Sequence, residues 1–310
     1  MEKTKKCPRI AIIVNKRREV EGFLKGLEES GFLPNIVIKD RNTPPAPCYR
    51  MSDLRINASL ERMDLTIRCI EDIMPPADNR VPETSGSHSQ QKAMLLPGYL
   101  RDNDADLVIS VSTAESTPSI QPGDAFTLNG SVVLGGGFFS FDAHSFDPQS
   151  PSHLTPPSFA ANNVDERIYQ LLSSSELRAE AVQRFCTPPH SPADPMQILC
   201  DPNYISVAAI NVVHYQAYEQ ADPAAYDACI KEHGDKYPAT IETTHGIVRM
   251  AANGKPTLFV SPITDRYKHF NVDVDPAGKQ NTAASYNAGV TVALFLLELD
   301  KHAFELIKIK

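Results

Sequence analysis

Three acidic residues of this chain, Glu19, Glu242 and Asp265, stand at the ends of stretches that read as β-strands. Glu19 follows the run Arg9–Val14 and opens a helical pattern; Glu242 ends the segment 239–242; Asp265 follows the apolar run 257–263. In an open sheet of mostly parallel strands, residues at the carboxyl ends share one edge and can meet in one cleft. Carboxyl groups placed there can protonate a leaving group, order a water molecule and grip hydroxyls, the three tasks in cleaving a glycosidic bond. Each residue also has a plainer use. Glu19 fits the acid of a first helical turn, Glu242 fits a helix N-cap before Thr243, and Asp265 fits a turn before Arg266.

The elements that must position these groups follow from periodicity. Ile10 to Val14 is a continuous apolar run rich in β-branched residues, the pattern of a strand covered on both faces. Val20, Phe23, Leu24 and Leu27 then recur at helical spacing over residues 19–27, and Gly31 supplies a stop. Further strands are predicted at 35–39, 63–70, 106–111, 197–200, 239–242 and 257–263. Helices are predicted at 89–100, 164–184, 207–219, 243–252 and 282–301. Pro-rich or Pro- and Ser-rich stretches near 43–50, 74–88, 147–160 and 187–195 read as surface insertions rather than linkers. The alternation of strand and helix implies an α/β fold: a single domain over 1–310, a three-layer α/β/α sandwich on a mixed, mostly parallel sheet.

Composition narrows the partners. With 310 residues, 42% of them hydrophobic, the chain can bury a full core, and its formal charge of -8 argues against a nucleic-acid backbone as ligand. A small molecule fits better. The six cysteines form no C-x-x-C pair, so neither a zinc site nor a disulfide framework is expected, and no metal or cofactor is. No uninterrupted apolar run reaches the roughly 20 residues that span a bilayer, which gives the cytoplasm as the expected compartment and no membrane partner. The run of Gly135, Gly136 and Gly137 lacks the lysine and spacing of a phosphate loop.

One family resemblance gathers these residues. The segment from Ile241-Glu242-Thr243-Thr244-His245-Gly246 to Ser261-Pro262-Ile263-Thr264-Asp265 resembles the late signature of the nucleoside phosphorylase and nucleosidase superfamily. That signature pairs a ribose-binding Glu at a strand end with a Ser-Asp or Thr-Asp pair closing the next strand. The 23 positions from Glu242 to Asp265 match the interval of methylthioadenosine/S-adenosylhomocysteine nucleosidases without a gap. Arg9 to Val20 resembles the opening of those enzymes, with Glu19 on the position that orders the attacking water. The segment from Asp106 to Ser116, followed by Gln121-Pro122-Gly123-Asp124, is similar to their central strand and turn. Ser85-Gly86-Ser87-His88 stands where they have a glycine turn.

The resemblance implies hydrolysis of the bond between a purine and a ribose, in a nucleoside or a 5′-modified nucleoside. Asp265 would assist the departing base, Glu19 would position water, and Glu242, Ile241 and Thr113 would contact the substrate. Tyr204 and Ile205 match the segment where the family sets an aromatic ring over the base. His245 reads as an ordinary buried or capping histidine. The resemblance further implies a homo-oligomer, a dimer or a trimer or hexamer. One departure stands out: Ser112, Glu115 and Ser116 replace family glycines, and a carboxylate there repels phosphate. Phosphorolysis is the alternative, with Arg17, Arg18 or Arg266 as phosphate ligands; a binding protein without turnover is another.

Overall fold

The computed structural model describes residues 7–31, 40–41, 55–73, 92–98, 100, 105–121, 123, 127–142, 158–190, 195–210, 218–274 and 278–308. Its strands are β1 (Arg9–Val14), β2 (Asp40–Arg41), β3 (Arg55–Ser59), β4 (Asp64–Cys69), β5 (Leu107–Val111), β6 (Ala114–Ser116), β7 (Val132–Gly135), β8 (Gly137–Asp142), β9 (Ser158–Ala160), β10 (Ile198–Cys200), β11 (Ile205–Ile210), β12 (Pro238–Ile241) and β13 (Thr257–Arg266). The helices are α1 (Arg17–Glu29), α2 over residues 92–98, α3 (Glu166–Leu172), α4 (Ser175–Gln183), α5 (Tyr218–His233), α6 (Thr243–Ala251), α7 (Phe270–Asp273) and α8 (Lys279–Leu306).

The composition of β1 follows from what covers it. Ile10, Ile12 and Val14 enter one apolar cluster, and Ala11 and Ile13 enter another on the opposite face. A strand buried on both faces has no room for a polar side chain, and each fully buried Ile contributes about 1.5–3 kcal/mol. The first cluster is covered by α1 and α8, the second by α2 and α6. Helices α1 and α8 cross closely because Gly22, Gly26 and Gly289 lie at the crossing, where a methyl group would run into the facing backbone. By length and composition α8 would pass for a membrane span, but 72% of its most apolar window is buried inside the protein.

The strands form a mixed sheet in the order β2-β3-β4-β1-β5-β13-β6-β12-β11-β8-β9, with β7 joining β13 to β10. Among the described residues, seven strand pairings are parallel and five antiparallel. With helices on both faces this is the expected three-layer α/β/α arrangement. The pivotal strand is β13. Its first half lies parallel to β5 and its second half parallel to β6, so one strand carries the chain from the centre of the sheet to Asp265.

Two expected elements differ. Residues 211–217 lie outside the described residues, and 207–210, expected to open a helix, lie instead in β11 (Ile205–Ile210), held between parallel β8 and β12. Its run Val207, Ala208, Ala209 is apolar at every position, so periodicity is silent and strand pairing decides. The single helix at 164–184 is two, α3 and α4, broken at Ser173, whose hydroxyl donates to the Tyr169 carbonyl at 2.9 Å. The strand at 35–39, the insertions at 43–50 and 74–88, the turn at Ser85 and Asp124 lie outside the described residues.

Candidate active site

One short stretch, 112–116, which runs from the end of β5 into β6, contacts all three acidic residues, Glu19 and Glu242 by their carboxylates and Asp265 by strand pairing. Ser112 Oγ donates to Glu242 Oε1 at 2.9 Å and Thr113 Oγ1 donates to Glu19 Oε1 at 2.8 Å. Glu115 stands directly opposite Asp265 in the parallel pairing of β6 with β13, and Ser116 Oγ donates to the Asp265 carbonyl at 3.4 Å.

Glu19 is 1% exposed. It lies in the first turn of α1 and takes the Lys16 amide on Oε2 at 3.2 Å, so the helix-cap use and the site use coexist. Burial raises its pKa. The Lys16 charge and the Thr113 bond pull it down, and the Glu242 charge pushes it up. Glu242 follows β12 directly and caps α6, accepting from the amides of Thr244 and His245 at 2.5 and 2.7 Å. Lys92 Nζ reaches this corner from α2, donating to Asn15 Oδ1 at 2.7 Å and Thr244 Oγ1 at 3.1 Å.

Asp265 is differently placed. Thr264 Oγ1 donates to its Oδ1, while its Oδ2 is buried without a hydrogen-bond partner among the described residues. Burial lifts its pKa to about 7, with the Asp273 charge adding and the Thr264 bond opposing. Glu115 is pushed well above the ordinary range by burial, then by the charges of Asp265 and Asp222. Asp222, on α5, is raised to about 8 by burial, with Glu242 and Asp265 adding and a bond from the Ala209 amide opposing. These three carboxyls favour their protonated forms because ionised groups packed together in low dielectric repel and lose hydration.

The remaining expected residues sit as follows. Ile241 pairs directly with Glu115 across β12 and β6. Thr113 also receives the Asn281 amide at 3.1 Å. Tyr204 and Ile205 lie at the amino end of β11; Val207 pairs with Ile241, so Ile205 stands three positions short of the level of Glu242. Tyr204 packs beside Phe138 and Phe259 instead. His245 is fully buried, its ring nitrogens bonded to Ser110 Oγ at 2.7 Å and Ser261 Oγ at 3.0 Å. Burial lowers its pKa to about 4 against the Glu242 charge, so near neutral pH it is an uncharged tie between β5 and β13. Arg266 is bound to Asp273, Nε to Oδ2 at 3.0 Å and Nη2 to Oδ1 at 2.9 Å. No group of three or more His, Cys, Asp or Glu among the described residues could hold a metal ion.

Sequence reading missed Asn15, Lys92 and Asp222. Asn15 follows β1 immediately and so shares its edge with Glu19, a signal that was available. Lys92 and Asp222 begin or occupy helices with nothing local to distinguish them from solvated charges.

The fold is shared with solved nucleosidase structures. Among solved structures it is similar over nearly its whole length to a futalosine hydrolase of Helicobacter pylori strain 26695, with TM-score 0.53 and 13% identity over 93% of this chain and 97% of that one. An S-adenosylhomocysteine nucleosidase of Streptococcus pyogenes gives 0.52 and 13%, covering 95% and 98%. A 5′-methylthioadenosine/S-adenosylhomocysteine nucleosidase of Colwellia psychrerythraea 34H, bound to adenine, gives 0.54 and 12%, covering 95% and 96%. No protein-family model matches the chain, and no curated protein matches it in sequence.

Proposed function

We propose that the chain is a hydrolytic N-ribosidase acting on a purine nucleoside or a nucleoside modified at the ribose 5′ position. The observation that supports this reading is the stretch 112–116, which bonds the carboxylates of Glu242 through Ser112 and of Glu19 through Thr113 and pairs Glu115 with Asp265. In the reaction, water attacks the anomeric carbon as its bond to the base nitrogen breaks. Glu19, whose raised pKa makes it a better base than a free glutamate, orders the water and takes its proton. Asp265, poised near 7, gives a proton to the departing base. Glu242, its carboxylate oriented by three donors, holds ribose hydroxyls and faces the positive charge of the oxocarbenium-like transition state.

Hydrolysis is favoured over phosphorolysis by charge. Arg266, the candidate phosphate ligand beside Asp265, is already paired with Asp273. The similar structures include a hydrolase and nucleosidases, one of them with adenine bound. The test is a panel of nucleosides, including 5′-methylthioadenosine, with and without phosphate. The expected products are free base and ribose in both conditions. Ribose phosphate formed only when phosphate is present would replace this reading with a phosphorylase, and binding without products would replace it with a binding protein.

A further inference from the structure

The carboxyl reading makes no use of Lys92, although its hydrogen bonds close a ring. Lys92 Nζ donates to Asn15 Oδ1 at 2.7 Å, Asn15 Nδ2 donates to Ser112 Oγ at 3.1 Å, and Ser112 Oγ donates to Glu242 Oε1 at 2.9 Å. On the other arm Lys92 Nζ donates to Thr244 Oγ1 at 3.1 Å, and the Thr244 amide donates to Glu242 Oε2 at 2.5 Å. The ring joins the end of β1, the turn after β5, the first turn of α6 and the start of α2.

The ring has two poles. An ammonium group can only donate and a carboxylate can only accept, so each group between them has one orientation. The Asn15 oxygen must face Lys92, its nitrogen must face Ser112, and the Ser112 hydroxyl must point at Glu242. We propose, resting on the nucleosidase reading, that Lys92 is a positioning residue that acts through this ring to hold Glu242 in one orientation for its grip on ribose. It does so without touching the substrate. A neutral amine can also accept, and the ring then loses the pole that sets its direction.

The charged groups facing the amine are Glu242 at the start of α6, Lys16 and Glu19 at the start of α1, and Glu71 in the short helical turn after β4. Burial lowers the Lys92 pKa to about 8; Glu242, Glu19 and Glu71 oppose that fall and Lys16 adds to it. The ammonium form is therefore held below about pH 8 and lost above it, and the ribose grip should weaken as pH rises through that value.

The experiment compares the wild type, Lys92→Arg and Lys92→Met in KM and kcat against pH, on the best nucleoside of the panel. It adds an NMR titration of 13Cε-labelled lysine, with Lys92 assigned through Lys92→Arg. In the wild type KM is expected to rise above about pH 8. Lys92→Arg keeps the charge and should flatten that rise. Lys92→Met should raise KM roughly tenfold or more at pH 7, with no rise near pH 8. Lys92→Met with wild-type KM and a wild-type rise would overturn the proposal. A Lys92 resonance titrating in the ordinary lysine range, or one indifferent to Glu242→Gln, would overturn it too, even if Lys92→Met fails to fold. If the wild type cleaves no nucleoside, the nucleosidase reading falls by itself, and the NMR titration still decides the role of Lys92.

Discussion

Around Glu19 and Glu242 every carboxylate oxygen has a donor, whereas across the same turn Asp265 keeps one oxygen buried and unpartnered among the described residues, beside two carboxyls that burial holds protonated. The first region is satisfied and oriented, the second under-satisfied. Fully bonded carboxylates are held in one orientation, which suits groups that position a water or hold a substrate through ground state and transition state alike. A buried carboxyl with a free oxygen and a pKa near neutrality suits a group that must give up a proton once per turnover. The contrast makes different demands on each side, and each can be broken separately.

The largest expected effect is at Asp265. Asp265→Asn keeps the size and some hydrogen bonding but has no proton to give, so turnover should fall by roughly 10² to 10⁴ while ligand affinity changes little. Glu242→Gln should instead weaken affinity and turnover together, because its contacts exist before the chemistry. Steady-state rates and calorimetric affinities of the two variants check this, and near wild-type turnover in Asp265→Asn would remove it as the acid.

A smaller effect, in stability, sharpens the comparison. Asp222 is raised from an ordinary 3.8 to about 8, so between those values the folded state holds a proton that the unfolded state has released. Stability contributed by the protonated group is present in full below about 4 and is lost as pH rises toward 8. The wild type should therefore melt a few °C higher at pH 6 than at pH 8, and Asp222→Asn should flatten that slope. Thermal scans of both proteins across pH 5 to 9 measure it; an unchanged slope in the variant would mean that Asp222 is not protonated in the fold.

Much of this division was legible in the sequence, and the reasons for what was not are physical. The alternating coverage of β1, the capping position of Glu242 and the reach of β13 to Asp265 are written in local pattern, so those elements and the places of the three acids at their ends could be read directly. Glu115 was visible only as a carboxylate in a turn expected to hold glycine. The ring around Lys92 joins positions 15, 92, 112, 242 and 244, whose proximity exists only once the sheet has formed. The reading of 207–210 as the start of a helix had a further consequence. With β11 hidden, nothing showed that Tyr204 and Ile205 begin a strand rather than end one.

Tyr204 accordingly provides the smallest expected effect. An aromatic ring that stacks on a leaving base must lie beside the acid that protonates it, yet Tyr204 precedes β11, where its carbonyl accepts from the Gly137 amide at 2.9 Å. It packs against the cluster of Phe138, Phe259 and Ile263. Tyr204→Leu should thus lower stability by about 1–2 kcal/mol through lost packing, while kcat/KM stays within about twofold of wild type. A base-stacking ring would behave oppositely, because losing it removes binding energy from the substrate whatever the melting temperature does. Chemical denaturation and kcat/KM measured on the same preparation separate the two cases. A loss of more than about tenfold in kcat/KM, in a variant that remains folded, would extend the base-binding surface to the amino end of β11 and dissolve the boundary drawn here between the site and the core beneath it.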